Sequence, residues 1–207
     1  NLRRQGFTTA VISSTGNAAI SAAYFCRQSG TKLVVFVSPK INLQKLQLLQ
    51  RQKVDIRQST KPVSHAFKFA KANHAYFLRQ STDPIALDGY SIIGQEIKNQ
   101  LPDVSSIFIP VGSGTTLLGI SQALPTIPLY AAQPAAHAPI SSVFETNFTP
   151  ETNTITDALG AKYLPLKDKV IAAIKSSHGT GLVIQNKQAV SAQKYLTDHN
   201  IVTSAEG

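Results

Sequence analysis

Five consecutive apolar residues, Leu33-Val34-Val35-Phe36-Val37, constrain the fold more than any other stretch of the chain. A run with no polar side has to be covered on both faces, as a strand inside a parallel sheet is. Pro39 ends it, and the segments around it alternate in kind. Thr9–Ser13 reads as a strand and Asn17–Gln28 as an Ala-rich helix closed by Gly30. After the apolar strand comes a helix capped by Asn42, with Leu43, Leu46 and Leu49 at helical spacing. Residues 54–58 read as the next strand. Pro62 suits the first turn of a helix over 63–73, and Tyr76-Phe77-Leu78 is a brief strand. Strand and helix alternating in this way predict parallel crossover units.

Residues 80–87 read as a polar connection containing Asp83-Pro84, followed by a helix over 88–100. A strand over 106–111 runs into Gly112-Ser113-Gly114-Thr115-Thr116, and a helix restarts over 117–123. A strand over 129–132 leads into an irregular, proline-bearing stretch to 165. A helix over Lys167–Ser176, a strand over 181–184 and a helix over 189–199 complete the pattern. The expected architecture is α/β: two lobes of open, mostly parallel sheet with helices on both faces and a ligand cleft between them. The smaller lobe covers residues 1–79 and the larger one residues 80–207.

Charge divides along the same line. Residues 1–79 hold 13 Lys/Arg against Asp55 alone, a net +12, whereas residues 80–207 hold 7 Lys/Arg against 10 Asp/Glu, a net −3. A basic lobe attracts anions. Nucleic acid is not expected as the partner, because the cations are dispersed and no aromatic platform accompanies them. No stretch of about 18 apolar residues occurs, so neither a membrane span nor a membrane partner is expected. The single Cys26 forbids an internal disulfide and fits a reducing, cytoplasmic setting. The sequence contains no methionine, residues 1–6 resemble the end of a helix closed by Gly6, and Gly207 falls in mid-element, so a piece of a longer protein is expected.

Two strand-to-helix turns carry the chemistry. Ser13-Ser14-Thr15-Gly16-Asn17-Ala18-Ala19 places hydroxyls, an amide and free N–H groups at a helix N-terminus. Either Ser14 or Thr15 simply caps the helix, or the turn holds a carboxylate or phosphate. Gly112-Ser113-Gly114-Thr115-Thr116 lets the backbone approach a ligand and adds hydroxyl donors. It is neither a P-loop, since no Gly-Lys-Ser/Thr follows, nor a dinucleotide fingerprint, since position 117 is leucine. His65, His74, His137, His178 and His199 show no ligand spacing with carboxylates or Cys26, so no metal site is expected.

The first turn resembles the asparagine loop of pyridoxal-phosphate enzymes of the tryptophan-synthase-β fold (fold type II), most closely that of threonine synthases. Further segments are similar in the same order: Asp88-Gly89-Tyr90-Ser91, Ile109-Pro110-Val111-Gly112-Ser113-Gly114, and the stretch from Ala131 to Ile140. Asn153-Thr154-Ile155-Thr156-Asp157-Ala158-Leu159 and Gly179-Thr180-Gly181-Leu182-Val183 follow. The resemblance implies a lyase of threonine biosynthesis that uses pyridoxal 5′-phosphate to convert O-phosphohomoserine to threonine plus phosphate. It implies that Asn17 bonds the cofactor's 3′-oxygen and that Ser14, Thr15, Gly16 and Ala18 hold the substrate carboxylate. Gly112, Ser113, Gly114, Thr115 and Thr116 would cradle the cofactor phosphate, and the partners would be a small phosphorylated amino acid and, in a homodimer, a second copy. Alternatives within the fold are a serine/threonine dehydratase, a cysteine synthase or a lysine-free, non-catalytic cofactor binder. The Schiff-base lysine of such enzymes is expected upstream of Asn1. No catalytic residue is therefore assigned within these residues, and the fragment alone is expected to be inactive. Lys68 lies mid-helix, where a solvated face is expected, and Cys26 reads as a small core residue.

Overall fold

In a computed structural model of the chain, which describes residues 2–14, 16–156, 159–160 and 163–206, two units are distinguished: Asn1–Arg79 and Gln80–Gly207. The first holds β1 (Thr9–Ser13), β2 (Lys32–Val37), β3 (Asp55–Gln58) and β4 (Tyr76–Phe77), all parallel, in the order β3-β2-β1-β4. They are linked by α1 (Asn17–Gln28), α2 (Leu43–Arg51) and α3 (Pro62–Ala72).

The period of two along a strand explains why β2 had to be apolar throughout. Leu33, Val35 and Val37 join Ala10 and Ile12 against Ala19, Ala23 and Cys26 of α1 and Leu49 of α2. The intervening Val34 and Phe36 join Val11 against Ala66 and Ala70 of α3 on the opposite face. Each such side chain contributes about 1.5–3 kcal/mol of burial, so no position along β2 tolerates a polar group cheaply. Asn42 caps α2 as expected, its side-chain oxygen accepting from the amides of Gln44 (2.9 Å) and Lys45 (3.4 Å). Gly6 closes the short turn of 3-10 helix Arg3–Gln5 in the left-handed conformation, φ 83°.

The second unit contains α4 (Pro84–Gln100), β5 (Ile107–Pro110), α5 (Thr115–Ala123), β6 (Leu129–Pro134), α6 (Lys167–Ser176), β7 (Thr180–Ile184) and α7 (Asn186–Asp198). Its parallel sheet has the order β5-β6-β7. α5 and α6 bury one face of it through Leu117, Ile120, Val170 and Ile174 against Ile109, Leu129 and Ala131. α4 crosses α5 where both carry glycine. A methyl on Gly94 would lie 2.8 Å from the Ala123 Cβ, and one on Gly119 would strike Tyr90. On the other face Phe108 is 63% exposed and stacks on Tyr130 with ring centroids 4.5 Å apart.

Three helices start earlier than their apolar periodicity predicts. α4 begins at Pro84, not at 88, because the Asp83 carboxylate accepts from the Ile85 amide and caps it. Asp88-Gly89-Tyr90-Ser91 therefore lies inside the helix. α7 begins at Asn186, not at 189, because Gln185 and Gln188 form a reciprocal capping box. α5 begins at Thr115, not at 117, so part of the glycine turn is already helical.

Candidate functional site

In the first unit the chain runs outward from β1 to β2 and β3, then returns to pair β4 with the other side of β1. α1 and α2 lie on one face of the sheet and α3 on the other. Connections therefore diverge at the C-terminal end of β1, a topological switch point, which is where open α/β sheets take ligands. Ser14, Gly16, Asn17 and Ala18 occupy that end. Ser14 does not cap α1. Gly16 is the N-cap, and the Ser14 Oγ instead accepts from the Gly16 amide at 3.3 Å. The Gly16 carbonyl accepts from the amides of Ala19 (3.0 Å) and Ile20 (3.3 Å). No described residue accepts from the amides of Asn17 and Ala18, and the exposed Asn17 carboxamide bonds no described residue. Thr15, the remaining substrate-carboxylate candidate, lies outside the described residues.

In the second unit, Gly112, Ser113, Gly114, Thr115 and Thr116 form one turn between β5 and α5. Gly114 has φ 84°, and a Cβ there would also collide with Val170 of α6, so both backbone and packing demand glycine. The Ser113 and Thr115 hydroxyls pair at 3.0 Å. Among the described residues, no acceptor meets the amides of residues 112–116; the pattern resumes with Leu118 donating to the Gly114 carbonyl. Five consecutive free amides leading into a helix start, with hydroxyls beside them, are the kind of donor set that a phosphoryl dianion takes. The residues present thus fit a cofactor phosphate.

A residue without an assigned role in the sequence sits beside this turn. Gln133 is 1% exposed; its Nε2 donates to the Val111 carbonyl (3.0 Å), and its Oε1 accepts from the amides of Ile140 (2.8 Å) and Ser141 (3.0 Å). A glutamine inside the apolar run Tyr130-Ala131-Ala132-Gln133-Pro134 was the available signal. The C-terminal ends of β5, β6 and β7 also border a cavity of about 300 Å³ that includes Pro110, Gln133, Pro134, Thr154 and Asn186.

Cys26 is buried, and burial pushes its thiol pKa up, as befits a core residue. Lys68 is exposed on α3. Among the described residues, no group of three or more His, Cys, Asp or Glu could hold a metal ion. No helix among them is long and apolar enough to cross a membrane. Several cations of the basic unit (Arg27, Lys32, Lys53 and Arg57) line a cavity of about 600 Å³ at the N-terminal edge of the sheet, opposite the Ser14 turn. α1 and α2 end there, so these cations lie at the negative ends of two helix dipoles. Arg57 is further held by Asp55 at 2.8 Å and by the Phe69 ring at 4.7 Å.

Comparison with known proteins agrees with this geometry. The human L-serine dehydratase/L-threonine deaminase is 25% identical over 96% of the chain and 65% of its own length. The threonine synthase of Methanosarcina acetivorans is 27% identical over 92% of the chain and 52% of its own length. The structure of threonine deaminase isoform 2 from Solanum lycopersicum superposes with a TM-score of 0.81 at 18% identity, covering 99% of the chain and 62% of that protein. The chain thus spans less than two thirds of these relatives. Residues 1–207 match the family described as pyridoxal-phosphate dependent enzyme, and to that family the chain belongs.

Proposed function

We propose that the intact protein uses pyridoxal phosphate to eliminate or replace a substituent on Cβ or Cγ of a small amino acid. The observation that carries this reading is the turn of five unpaired amides at residues 112–116, in a chain that matches the family along its whole length. Here the amides of Gly112, Ser113, Gly114, Thr115 and Thr116 take the cofactor phosphate. The Asn17 carboxamide donates to the cofactor's 3′-oxygen. Ser14, Thr15, Gly16 and Ala18 hold the substrate carboxylate, with the free amide of Ala18 as one donor. When bound, the cofactor supplies the electron sink, and these residues supply position and charge compensation. The lysine that anchors the cofactor is assigned to a segment preceding Asn1, so these residues alone are expected not to turn over substrate.

The preferred reaction is conversion of O-phosphohomoserine to threonine and phosphate, supported by the order of the matching segments and by the archaeal relative. A second reading, deamination of serine or threonine, is favoured by the human relative. The cations at the far sheet edge also favour it, because that charge does not serve a phosphorylated substrate at the Ser14 turn. A homodimer and a cytoplasmic setting belong to the same proposal; the lone buried thiol supports the latter.

The test is spectral and chemical. Intact protein with cofactor should absorb visible light, lose that absorbance on borohydride treatment, and release phosphate from O-phosphohomoserine. Ammonia from serine or threonine, without phosphate release, selects the second reading. Failure to bind the cofactor at all overturns both.

A further inference from the structure

The glycine turn owes the direction of its first amide to a side chain one strand position beyond the sheet ladder's last bond. β5 and β6 pair Pro110 with Ala132, which sets Val111 opposite Gln133. In a parallel ladder the Val111 N–H donates to the residue before its partner, and the Val111 carbonyl accepts from the residue after it. The first bond is present, Val111 N to the Ala132 carbonyl at 2.9 Å. The second cannot form, because the residue after Gln133 is Pro134, which has no N–H. The Gln133 side chain fills the vacancy, its Nε2 donating to the Val111 carbonyl at 3.0 Å. Its own orientation is fixed at the other end, where Oε1 accepts from Ile140 and Ser141.

The Val111 carbonyl and the Gly112 N–H belong to one planar trans peptide, so they point in opposite directions. Holding the carbonyl toward Gln133 therefore holds the Gly112 N–H away from it. That N–H is the first of the free amides. We infer that Gln133 is a positioning residue for anion binding: it stands in for the missing proline donor and so aims the Gly112 amide at the phosphate. The inference rests on the reading of residues 112–116 as the cofactor-phosphate turn.

Three variants of the intact protein test it, read by the cofactor dissociation constant and by the ¹⁵N–¹H resonance of Gly112. Gln133→Met removes the donor and should weaken cofactor binding about tenfold while moving the Gly112 resonance. Adding Pro134→Ala to that variant returns a backbone N–H to the ladder and should recover both readouts. Gln133→Glu mimics glutamine only when protonated. It should bind nearly as the parent at about pH 5.5 and poorly at about pH 8.5, where a carboxylate faces a carbonyl. This second substitution keeps the test open if the methionine variant does not fold. Parent-like affinity and an unmoved resonance in Gln133→Met and in Gln133→Glu at high pH would overturn the inference. So would loss in Gln133→Met without rescue by Pro134→Ala, together with loss in Gln133→Glu at both pH values. A parent protein that binds no cofactor overturns instead the functional reading; the Gly112 resonance then still reports whether Gln133 sets that peptide.

Discussion

Cys26 separates a core thiol from a reactive one. It is 5% exposed on α1, and burial raises its pKa above the ordinary 9.0. Iodoacetamide should modify it slowly in the native protein and quickly in denaturant, a contrast mass spectrometry can follow. The folded state keeps the proton to higher pH than the unfolded chain does. The stability linked to this thiol is therefore intact below its ordinary range and falls as pH climbs through that range toward the folded value. Rapid native labelling at neutral pH would contradict the assignment. Cys26 was legible because an Ala-rich helix leaves only one face for a small thiol. Gln133 was not, because the meaning of Pro134 depends on which strand position lies opposite, and only the paired sheet supplies that register. Ser14 was legible as a turn residue, yet its hydroxyl serves the Gly16 amide and leaves the capping position to glycine.

At the scale of elements, the position of the glycine turn depends on how α5 is seated. α4 and α5 approach closely enough that Gly94 faces Ala123 and Gly119 faces Tyr90 with no space for a methyl. Gly119→Ala should force the two helices apart and cost about 1–3 kcal/mol, read as a lower urea midpoint at an unchanged slope. Because α5 carries Thr115 and Thr116, the same variant should also weaken cofactor binding. If stability and affinity are both unchanged, the crossing is looser than the packing implies. Apolar spacing revealed that α4, α5 and α7 exist but misplaced where they start. Their first turns are set by polar caps, at Asp83 and at Gln185 with Gln188, or by Gly114, and none of these contributes to apolar periodicity.

At the scale of the molecule, the alternation of short apolar runs with amphipathic ones was sufficient to read an α/β fold of parallel sheets. Continuous burial of β2 admits few alternatives. Composition could not reveal that the second sheet is covered unequally. α5 and α6 bury one face, while Phe108 stands exposed over Tyr130 on the other. Covering such a ring is worth about 1–2 kcal/mol, and we propose this face as a self-association surface of the 207-residue chain. Phe108→Lys should shift the sedimentation profile toward smaller species, and an unchanged profile would remove this face from the contact.

The strand order of the first unit also has a consequence for biosynthesis. Of the four strands in this sheet β1 is made first, yet its two neighbours are β2 and β4, the latter ending at Phe77. Until residue 77 has emerged, one edge of β1 has no neighbour from this sheet. The strand that leads into the Asn17 turn is thus made before the others of its sheet and gains its second neighbour last, when nearly the whole unit has been synthesised.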